Sequence, residues 1–162
     1  MISGIFYRKR MKGNRLYKYE KLCSRTAVEQ LFLMHGNSLA AYPLRVVYNF
    51  QPYLETSPSQ FLITIPKKKL RKAVQRVLMR RRIREAYRLQ KAPFIAALRS
   101  EGVCVNLAFL YMAPEVMHYS SIHKRMGDLL EKLAVIAQKE AKKRLNAPSQ
   151  AIENPKPETQ QS

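Results

Sequence analysis

The sequence is poor in the residues on which most protein active sites depend. Among its 162 residues are three histidines, none in a His-Glu-x-x-His arrangement, and 11 Asp and Glu residues scattered along the chain. Its five glycines form neither a phosphate-binding loop nor a dinucleotide-binding fingerprint. The pattern argues against the usual zinc-protease and nucleotide-binding sites, and nothing in it indicates a protein nuclease centre.

Cysteines and long apolar runs are also scarce. Cys23 and Cys104 are the only two cysteines and have no zinc-ligand or redox spacing, so we expect reduced thiols and a cytoplasmic protein. No stretch approaches the roughly 18–20 apolar residues of a membrane span, so no membrane partner is expected. Residues 1–13 lack an apolar segment before their charges, which argues against a secretory signal. Met11 is a candidate for an alternative start, and the sequence does not decide between it and Met1.

Basic residues, in contrast, are in large excess. The chain has 30 Lys and Arg residues against 11 Asp and Glu residues, a formal net charge of +19. Such an excess predicts a polyanionic partner, and we favour nucleic acid over an acidic membrane. The hydrophobic content of 46% is ordinary for a globular protein and sufficient for a core.

Composition divides the chain into three parts. Residues 1–19 hold six basic residues and no acid, which predicts a flexible basic arm. Residues 146–162 are rich in Pro, Gln, Ser and Glu and predict a disordered tail. The folded domain is expected between them, over 20–145.

Within the domain the pattern predicts the order α-β-β(-β)-α-β-α. The first helix is expected to begin at an N-cap, Thr26, and to end near Gly36. β-branched and aromatic residues predict strands over 43–50, 61–65 and 103–112, with an extra short strand around 39–50. A long helix is expected over about 71–91, ended by Pro93, and the last helix follows Pro114. A strand, a helix and a strand in succession predict a parallel pair bridged by that helix.

The long central helix carries a dense basic stretch. Residues 75–88 contain six arginines and one acid, Glu85. Like charges at helical spacing destabilise a helix, so an external partner has to offset the repulsion. A helical wheel puts four residues on the buried side: Met79, Ile83, Ala86 and Tyr87. It puts five arginines on or at the edge of an adjacent side: Arg76, Arg80, Arg81, Arg84 and Arg88. Because arginine binds phosphate in bidentate fashion, this side is predicted to lie on a nucleic-acid backbone.

The stretch FLITIPKKKLRKAVQRVLMRRRIREAYR (61–88) resembles the protein subunit of bacterial ribonuclease P. The shared features are a strand, a Lys-Lys turn, Ala-Val and an arginine-rich helix, and the resemblance extends over about 22–137. It implies an α+β fold, a two-layer α/β sandwich like the second domain of ribosomal protein S5. It also implies a left-handed strand–helix–strand crossover, against the usual preference. It further implies that the catalyst is a partner RNA with bound Mg²⁺, acting on precursor tRNA.

The resemblance also assigns site residues. The positions that bind the catalytic RNA correspond to Arg76, Arg80, Arg81 and Arg84. We add Arg88 and Lys72 to the predicted catalytic-RNA-binding residues. The groove for the 5′ leader of precursor tRNA, between the first helix and the sheet, corresponds to Phe32, Tyr48, Thr64, Lys67 and Lys68. The family usually has Arg-Asn-Arg where this chain has Arg76-Val77-Leu78, so contacts of that Asn and second Arg do not transfer.

Two other functions are also compatible with the sequence. A ribosomal or rRNA-packaging protein would share the basic helix and tail but would need no groove for a single-stranded leader. A DNA-binding regulator would place the basic helix in a major groove. The strands on both sides of that helix, and the lack of a preceding short helix and turn, argue against DNA as the partner. Tyr48 also has an alternative role as a core residue.

Overall fold

The computed structural model describes residues 15–33, 37–51 and 57–146. In chain order the elements are a 3₁₀ turn (Lys18–Glu20), α1 (Arg25–Leu33), β1 (Asn37–Ala41), β2 (Leu44–Gln51), β3 (Ser59–Thr64), α2 (Ala73–Ser100), β4 (Cys104–Tyr111) and α3 (Tyr119–Asn146). The described residues form a mixed α+β domain with a four-stranded sheet and three α-helices, as the sequence predicted. The predicted tail from residue 147 onward, and residues 1–14 of the predicted arm, lie outside the described residues.

The strands lie in the order β1-β2-β4-β3. β2 is antiparallel to both β1 and β4, whereas β3 is parallel to β4. The parallel pair is the one that α2 bridges, so this prediction is confirmed. β1, at Asn37–Ala41, accounts for the extra short strand predicted around 39–50. In this order β3 is an edge strand of the sheet.

One face of the sheet, here called the inner face, packs against α2 and α3. β4 and the residue before it contribute alternate residues to this core, and all are buried: Val103, Val105, Leu107, Phe109 and Tyr111. The four residues predicted on the buried side of the central helix, Met79, Ile83, Ala86 and Tyr87, are 0% exposed. The main hydrophobic core therefore lies between the sheet and the two long helices. None of the helices in the described segments is both long and apolar enough to cross a membrane.

The opposite face of the sheet, here called the outer face, is covered by α1. A smaller apolar cluster joins Leu22 and Leu31 to Val47 of β2 and Ala108 of β4. Ser24, and not Thr26 as predicted, is the N-cap of α1, because its hydroxyl accepts a hydrogen bond from the Ala27 amide at 3.4 Å. α1 leaves parts of the outer face uncovered, which matters for the binding groove described below.

The central helix does not end at Pro93, as predicted, but runs through it to Ser100. Proline removes one helical hydrogen bond, and this loss is smallest where water can reach the freed carbonyl. Pro93 is exposed, whereas Phe94, Ile95 and Leu98 beyond it are buried. Burial of these three side chains continues the helix past the proline.

Residues 15–19 belong to the folded domain and not, as predicted, to the arm. Lys91 of α2 donates a hydrogen bond from Nζ to the Arg15 carbonyl oxygen at 2.7 Å. The same ammonium lies 2.5 Å from a carboxylate oxygen of Glu20, and both side chains are buried. The Tyr17 and Tyr19 rings stack with centroids 5.3 Å apart. These contacts hold the segment against α2.

Candidate nucleic-acid interface

The arginines at the start of α2 fall into two groups, and Arg76 belongs to the group bound by the protein itself. Its Nη1 donates to the carbonyl oxygens of Leu70 and Arg71, at 2.9 and 2.6 Å. These carbonyls lie in the loop that enters α2. The loop is thus tied to the first turn of the helix by a guanidinium that the sequence analysis assigned to RNA.

Arg82 and Arg88 belong to the same group. Arg82 donates from Nη1 to the carbonyl oxygen of Met117, which joins α2 to the segment before α3. Arg88 binds Glu85 through two nitrogens, at 2.8 and 2.6 Å. The hydrogen bond from Arg88 lowers the pKa of the Glu85 carboxyl below its ordinary value. The charge of Arg88 is therefore largely satisfied within the helix.

The second group consists of Arg80, Arg81 and Arg84, here called the arginine face. None of the three makes a hydrogen bond or ion pair with another of the described residues. Arg81 and Arg84 are exposed, and Arg80 is half-buried. Three guanidinium groups without protein acceptors, in one and a half turns of a rigid helix, form a surface suited to phosphate.

A shallow pocket of about 210 Å³ lies between the arginine face and the edge of β3. Its lining residues are Lys21, Leu22, Cys23, Phe61, Leu62, Ile63, Arg80 and Arg84. Three of them are cationic and none is acidic. The pocket therefore combines positive charge with an exposed strand edge, and we call it the edge pocket.

The predicted lysines lie around the same end of the molecule. Lys67 and Lys68 follow β3 and are exposed, and Lys72 is exposed as the N-cap residue of α2. Lys72 caps the helix without a side-chain hydrogen bond, so its ammonium is not used there. All three cations lie in the connection from β3 to α2, next in sequence to the arginine face.

Of the residues predicted to line the leader groove, Phe32 and Thr64 lie on the α1 side of the sheet. Phe32 is on α1, and its side chain is 45% exposed. Thr64 is half-buried and shares the outer face with Leu62, which packs against the α1 cluster. The structure therefore brings Phe32 and Thr64 to one side of the sheet.

Tyr48 is not in that groove, so this part of the prediction is wrong. The residue is 5% exposed and belongs to the inner-face core together with Val46. Its ring meets the Phe50 ring edge-on, with centroids 5.5 Å apart. Burial raises the pKa of the Tyr48 hydroxyl above its ordinary value. Because successive side chains of a strand point to opposite faces, Tyr48 cannot line the face that α1 covers.

The outer face instead presents polar residues that the sequence analysis did not select. Asn49 of β2 pairs in register with Asn106 of β4, which pairs with Gln60 of β3. All three are half-buried. Gln60 donates to the Tyr19 carbonyl oxygen at 3.1 Å. The alternation of Asn49 with Val47 was the available signal, but Val46, Val47 and Tyr48 are all apolar and did not identify the outer face.

Neither cysteine forms a disulfide; Cys23 is exposed and Cys104 is buried. Within residues 15–33, 37–51 and 57–146, no three His, Cys, Asp or Glu side chains cluster in a way that could hold a metal ion. The groups described above around the arginine face, the edge pocket and the outer face are cations, amides and a few apolar side chains. These are groups for binding.

A four-stranded sheet with a basic helix beside its edge and a short helix on its outer face is the architecture of a basic, nucleic-acid-binding α+β protein. The ribonuclease P family model matches residues 16–134. The chain therefore belongs to the ribonuclease P protein family, whose members bind RNA and take part in tRNA processing.

Individual relatives agree with this assignment. A ribonuclease P protein component from Porphyromonas gingivalis is 30% identical over 139 residues, covering 86% of this chain and 93% of the relative. A solved Staphylococcus aureus RNase P protein is similar in fold, with a TM-score of 0.53 and 18% identity, covering 71% of this chain and 94% of that one. A mutant of the S. aureus protein has a TM-score of 0.55 and 16% identity, and the match covers 80% of this chain and 96% of that one.

Proposed function

We propose that this protein binds the catalytic RNA of ribonuclease P and the 5′ leader of precursor tRNA, and so promotes endonucleolytic removal of the leader. Family membership supports the RNA partner and the process. The observation that carries the proposal is the division of the arginines on α2. Of the six arginines in residues 75–88, three are used within the protein, and three have no acceptor in the described part of the chain.

The catalytic RNA would contact the arginine face. Each guanidinium that neutralises a phosphate releases counterions, and that release offsets the repulsion among these like charges. The helix beneath is fixed by 0% exposed Met79 and Ile83, so the arginines are held on a rigid element. Arg76 and Arg88, by contrast, would act mainly by keeping the loop and helix in place, with Lys72 adding an unpaired charge.

The leader would lie across the outer face beside α1. Phe32 offers a half-exposed ring on which an unpaired base can stack, an interaction worth about 1–3 kcal/mol per base. Thr64 and the amides of Asn49 and Asn106 offer hydrogen bonds on the same face. Lys67 and Lys68 would meet phosphates where the leader leaves β3. Tyr48 has no part in this groove.

We assign the cutting step to the partner RNA and to the Mg²⁺ that it binds. Mg²⁺ bound near phosphates would activate water and stabilise the leaving oxygen. The protein's own groups act by binding: the arginine face screens repulsion between two RNAs, and the outer face positions the leader.

The test compares three preparations on one precursor tRNA: protein alone, the chain's cognate ribonuclease P RNA alone, and the two together, all with Mg²⁺. We expect specific 5′ cleavage with the RNA present, faster or at lower Mg²⁺ when the protein is added. Specific cleavage by protein from which RNA has been rigorously removed would contradict the assignment of chemistry. An equal stimulation by an unrelated basic protein would favour a general RNA-packaging role.

A further inference from the structure

The outward edge of β3 carries backbone groups that the sheet does not use. The Val105 amide donates to the Pro58 carbonyl oxygen at 3.0 Å. This bond determines which alternate residues of β3 form backbone hydrogen bonds with β4. In a parallel ladder only alternate residues of a strand bond to a given neighbour. The backbone N–H and C=O groups of Gln60, Leu62 and Thr64 therefore point toward β4. The same groups of Phe61 and Ile63 point to the outward edge, away from the sheet.

Of Phe61 and Ile63, only Phe61 has a backbone partner among the described residues on the outward edge of β3. The Leu22 amide donates to the Phe61 carbonyl oxygen at 2.9 Å, where Lys21 forms an isolated parallel bridge with Phe61. The chain then turns into α1 and leaves the edge. Ile63 thus presents one donor and one acceptor that no other described residue binds, and Ile63 lines the edge pocket.

Charge around this free edge is of one sign. Lys21 stands on one side of the edge pocket, and Arg80 and Arg84 stand on the other. An unpaired strand edge can accept another peptide strand, but a positively charged pocket would favour only an acidic one. A nucleotide suits both the positive charge and the unpaired backbone groups. Its phosphate is negative, and the edge of its base carries hydrogen-bond donors and acceptors. The half-buried Leu62 adds apolar surface for the base.

We propose that the edge pocket binds one unpaired RNA nucleotide, with its phosphate on Arg80 and Arg84 and its base edge on the Ile63 N–H and C=O. The proposal deepens the proposed RNA-binding function and rests on it. A base within a duplex has already used its pairing edge and is stacked on both sides, so the pocket selects unpaired RNA. The arginine face then does more than neutralise phosphate: it marks where an RNA strand leaves a helix.

Cys23 provides a direct measurement because it is exposed and lines the edge pocket. The full-length protein is alkylated with iodoacetamide, alone and with a short oligouridylate, an RNA duplex of the same length, or inorganic polyphosphate. We expect the oligouridylate to slow alkylation of Cys23 several-fold more than the other two at equal phosphate concentration. Cys104, which is buried, serves as the internal control for unfolding.

A pair of substitutions isolates the backbone contact. Ile63→Pro removes the outward N–H, and proline is tolerated in an edge strand where the N–H faces solvent. Ile63→Ala keeps the N–H and loses a similar part of the side chain. We expect Ile63→Pro to bind the oligouridylate roughly 2- to 12-fold more weakly than Ile63→Ala, the factor equivalent to one net hydrogen bond. Circular dichroism of both variants reports folding, and the Cys23 measurement remains decisive if Ile63→Pro does not fold.

Three results would overturn the proposal: no protection of Cys23 by the oligouridylate, equal protection by polyphosphate, or equal protection by the duplex. Protection by a polyglutamate peptide in place of RNA would assign the edge to strand addition instead. Failure here is distinguishable from failure of the proposed function. If the arginine face still governs the salt dependence of catalytic-RNA binding while Cys23 stays reactive, only the nucleotide pocket is lost.

Discussion

The Lys91 ammonium lies 2.5 Å from the Glu20 carboxylate, and the two side chains are 5% and 2% exposed. The pair joins the segment before α1 to the middle of α2, 71 residues away in sequence. Glu20 also accepts the Tyr17 amide at 2.7 Å, and Lys91 also donates to the Arg15 carbonyl oxygen. Every polar atom of this buried contact therefore serves to fix the start of the domain against α2.

Removing one member of this pair should be strongly destabilising, because the other charge is left buried. We expect Lys91→Met or Glu20→Gln to lower the free energy of unfolding by about 3–5 kcal/mol. The double variant should lose less than the sum of the two, and urea denaturation measures all three. The matched control is the exposed Arg25–Glu29 pair, for which Glu29→Gln should cost at most about 1 kcal/mol. Losses of equal size at both pairs would contradict the buried-pair account.

The arginine face should govern the salt dependence of RNA binding. Replacing Arg80, Arg81 and Arg84 by Ala should weaken binding to the catalytic RNA and flatten the plot of log K against log salt. The expected change in slope is roughly 0.7–0.9 per lost phosphate contact.

A second triple variant removes the same charge elsewhere. Lys132, Lys139 and Lys142 are exposed on α3, and their replacement by Ala should leave the slope nearly unchanged. Arg76→Ala should instead lower stability, because it frees the Leu70 and Arg71 carbonyls. Equal slopes for the two triple variants would mean that only net charge matters and that the arginine face is not on phosphates.

The strands themselves were predictable, and so were the directions of their side chains where burial differs between the two faces. β4 could be read from its sequence because Val105, Leu107 and Phe109 repeat with period two and all lie in the core. β2 was also predicted as a strand, over 43–50, but the faces of its residues were not predictable because it is covered on both sides: Val46 meets the long helices and Val47 meets α1. A strand buried on both faces loses its alternation. The misplacement of Tyr48 follows directly from this.

The helix boundary and the arginine roles depend on tertiary contacts that local sequence does not contain. Pro93 is a local stop signal, but burial of Phe94 and Leu98 continues the helix. Local sequence also cannot distinguish Arg82, which finds a carbonyl 35 residues away, from Arg81, which remains in solvent. Likewise, the hydrogen bond from Lys91 to the Arg15 carbonyl oxygen forms only when α2 packs against residues 15–20.

Tyr87 should make stability fall at high pH. Burial raises the pKa of its hydroxyl above the ordinary value of about 10, although a 3.0 Å hydrogen bond with Ser59 works in the opposite direction. A raised pKa means that above pH 10 the unfolded chain loses this proton while the folded protein keeps it. The contribution of Tyr87 to the free energy of unfolding is therefore fully present below pH 10. Above pH 10 it declines by up to about 1.4 kcal/mol per pH unit. Unfolding free energies of the wild type and Tyr87→Phe, measured from pH 8 to about 11, should converge as the pH rises. If the two plots of unfolding free energy against pH stay parallel, the loss of stability at high pH comes from groups other than Tyr87.

Phe32 and Tyr48 should separate leader binding from folding, because they lie on opposite faces of the sheet. Phe32 is 45% exposed, so Phe32→Ala should leave the melting temperature nearly unchanged. It should weaken binding of precursor tRNA to the reconstituted holoenzyme by about 1–3 kcal/mol, the value of one stacked base, and leave mature tRNA unaffected. Tyr48→Ala should instead cost about 3–5 kcal/mol of stability, as expected for an aromatic core residue.

Both variants need both measurements on the same preparation: thermal unfolding of the protein, and Kd values for precursor and mature tRNA. Leu33→Ala is the matched control for Phe32, since Leu33 is its neighbour on α1 and is 76% exposed. We expect Leu33→Ala to bind both tRNAs as the wild type does, because a leader-specific loss requires the ring. An equal loss of precursor and mature tRNA binding in Phe32→Ala would remove Phe32 from the leader groove. A precursor-specific loss in fully folded Tyr48→Ala would mean that the leader reaches the inner face, contrary to the burial of Tyr48 in the core.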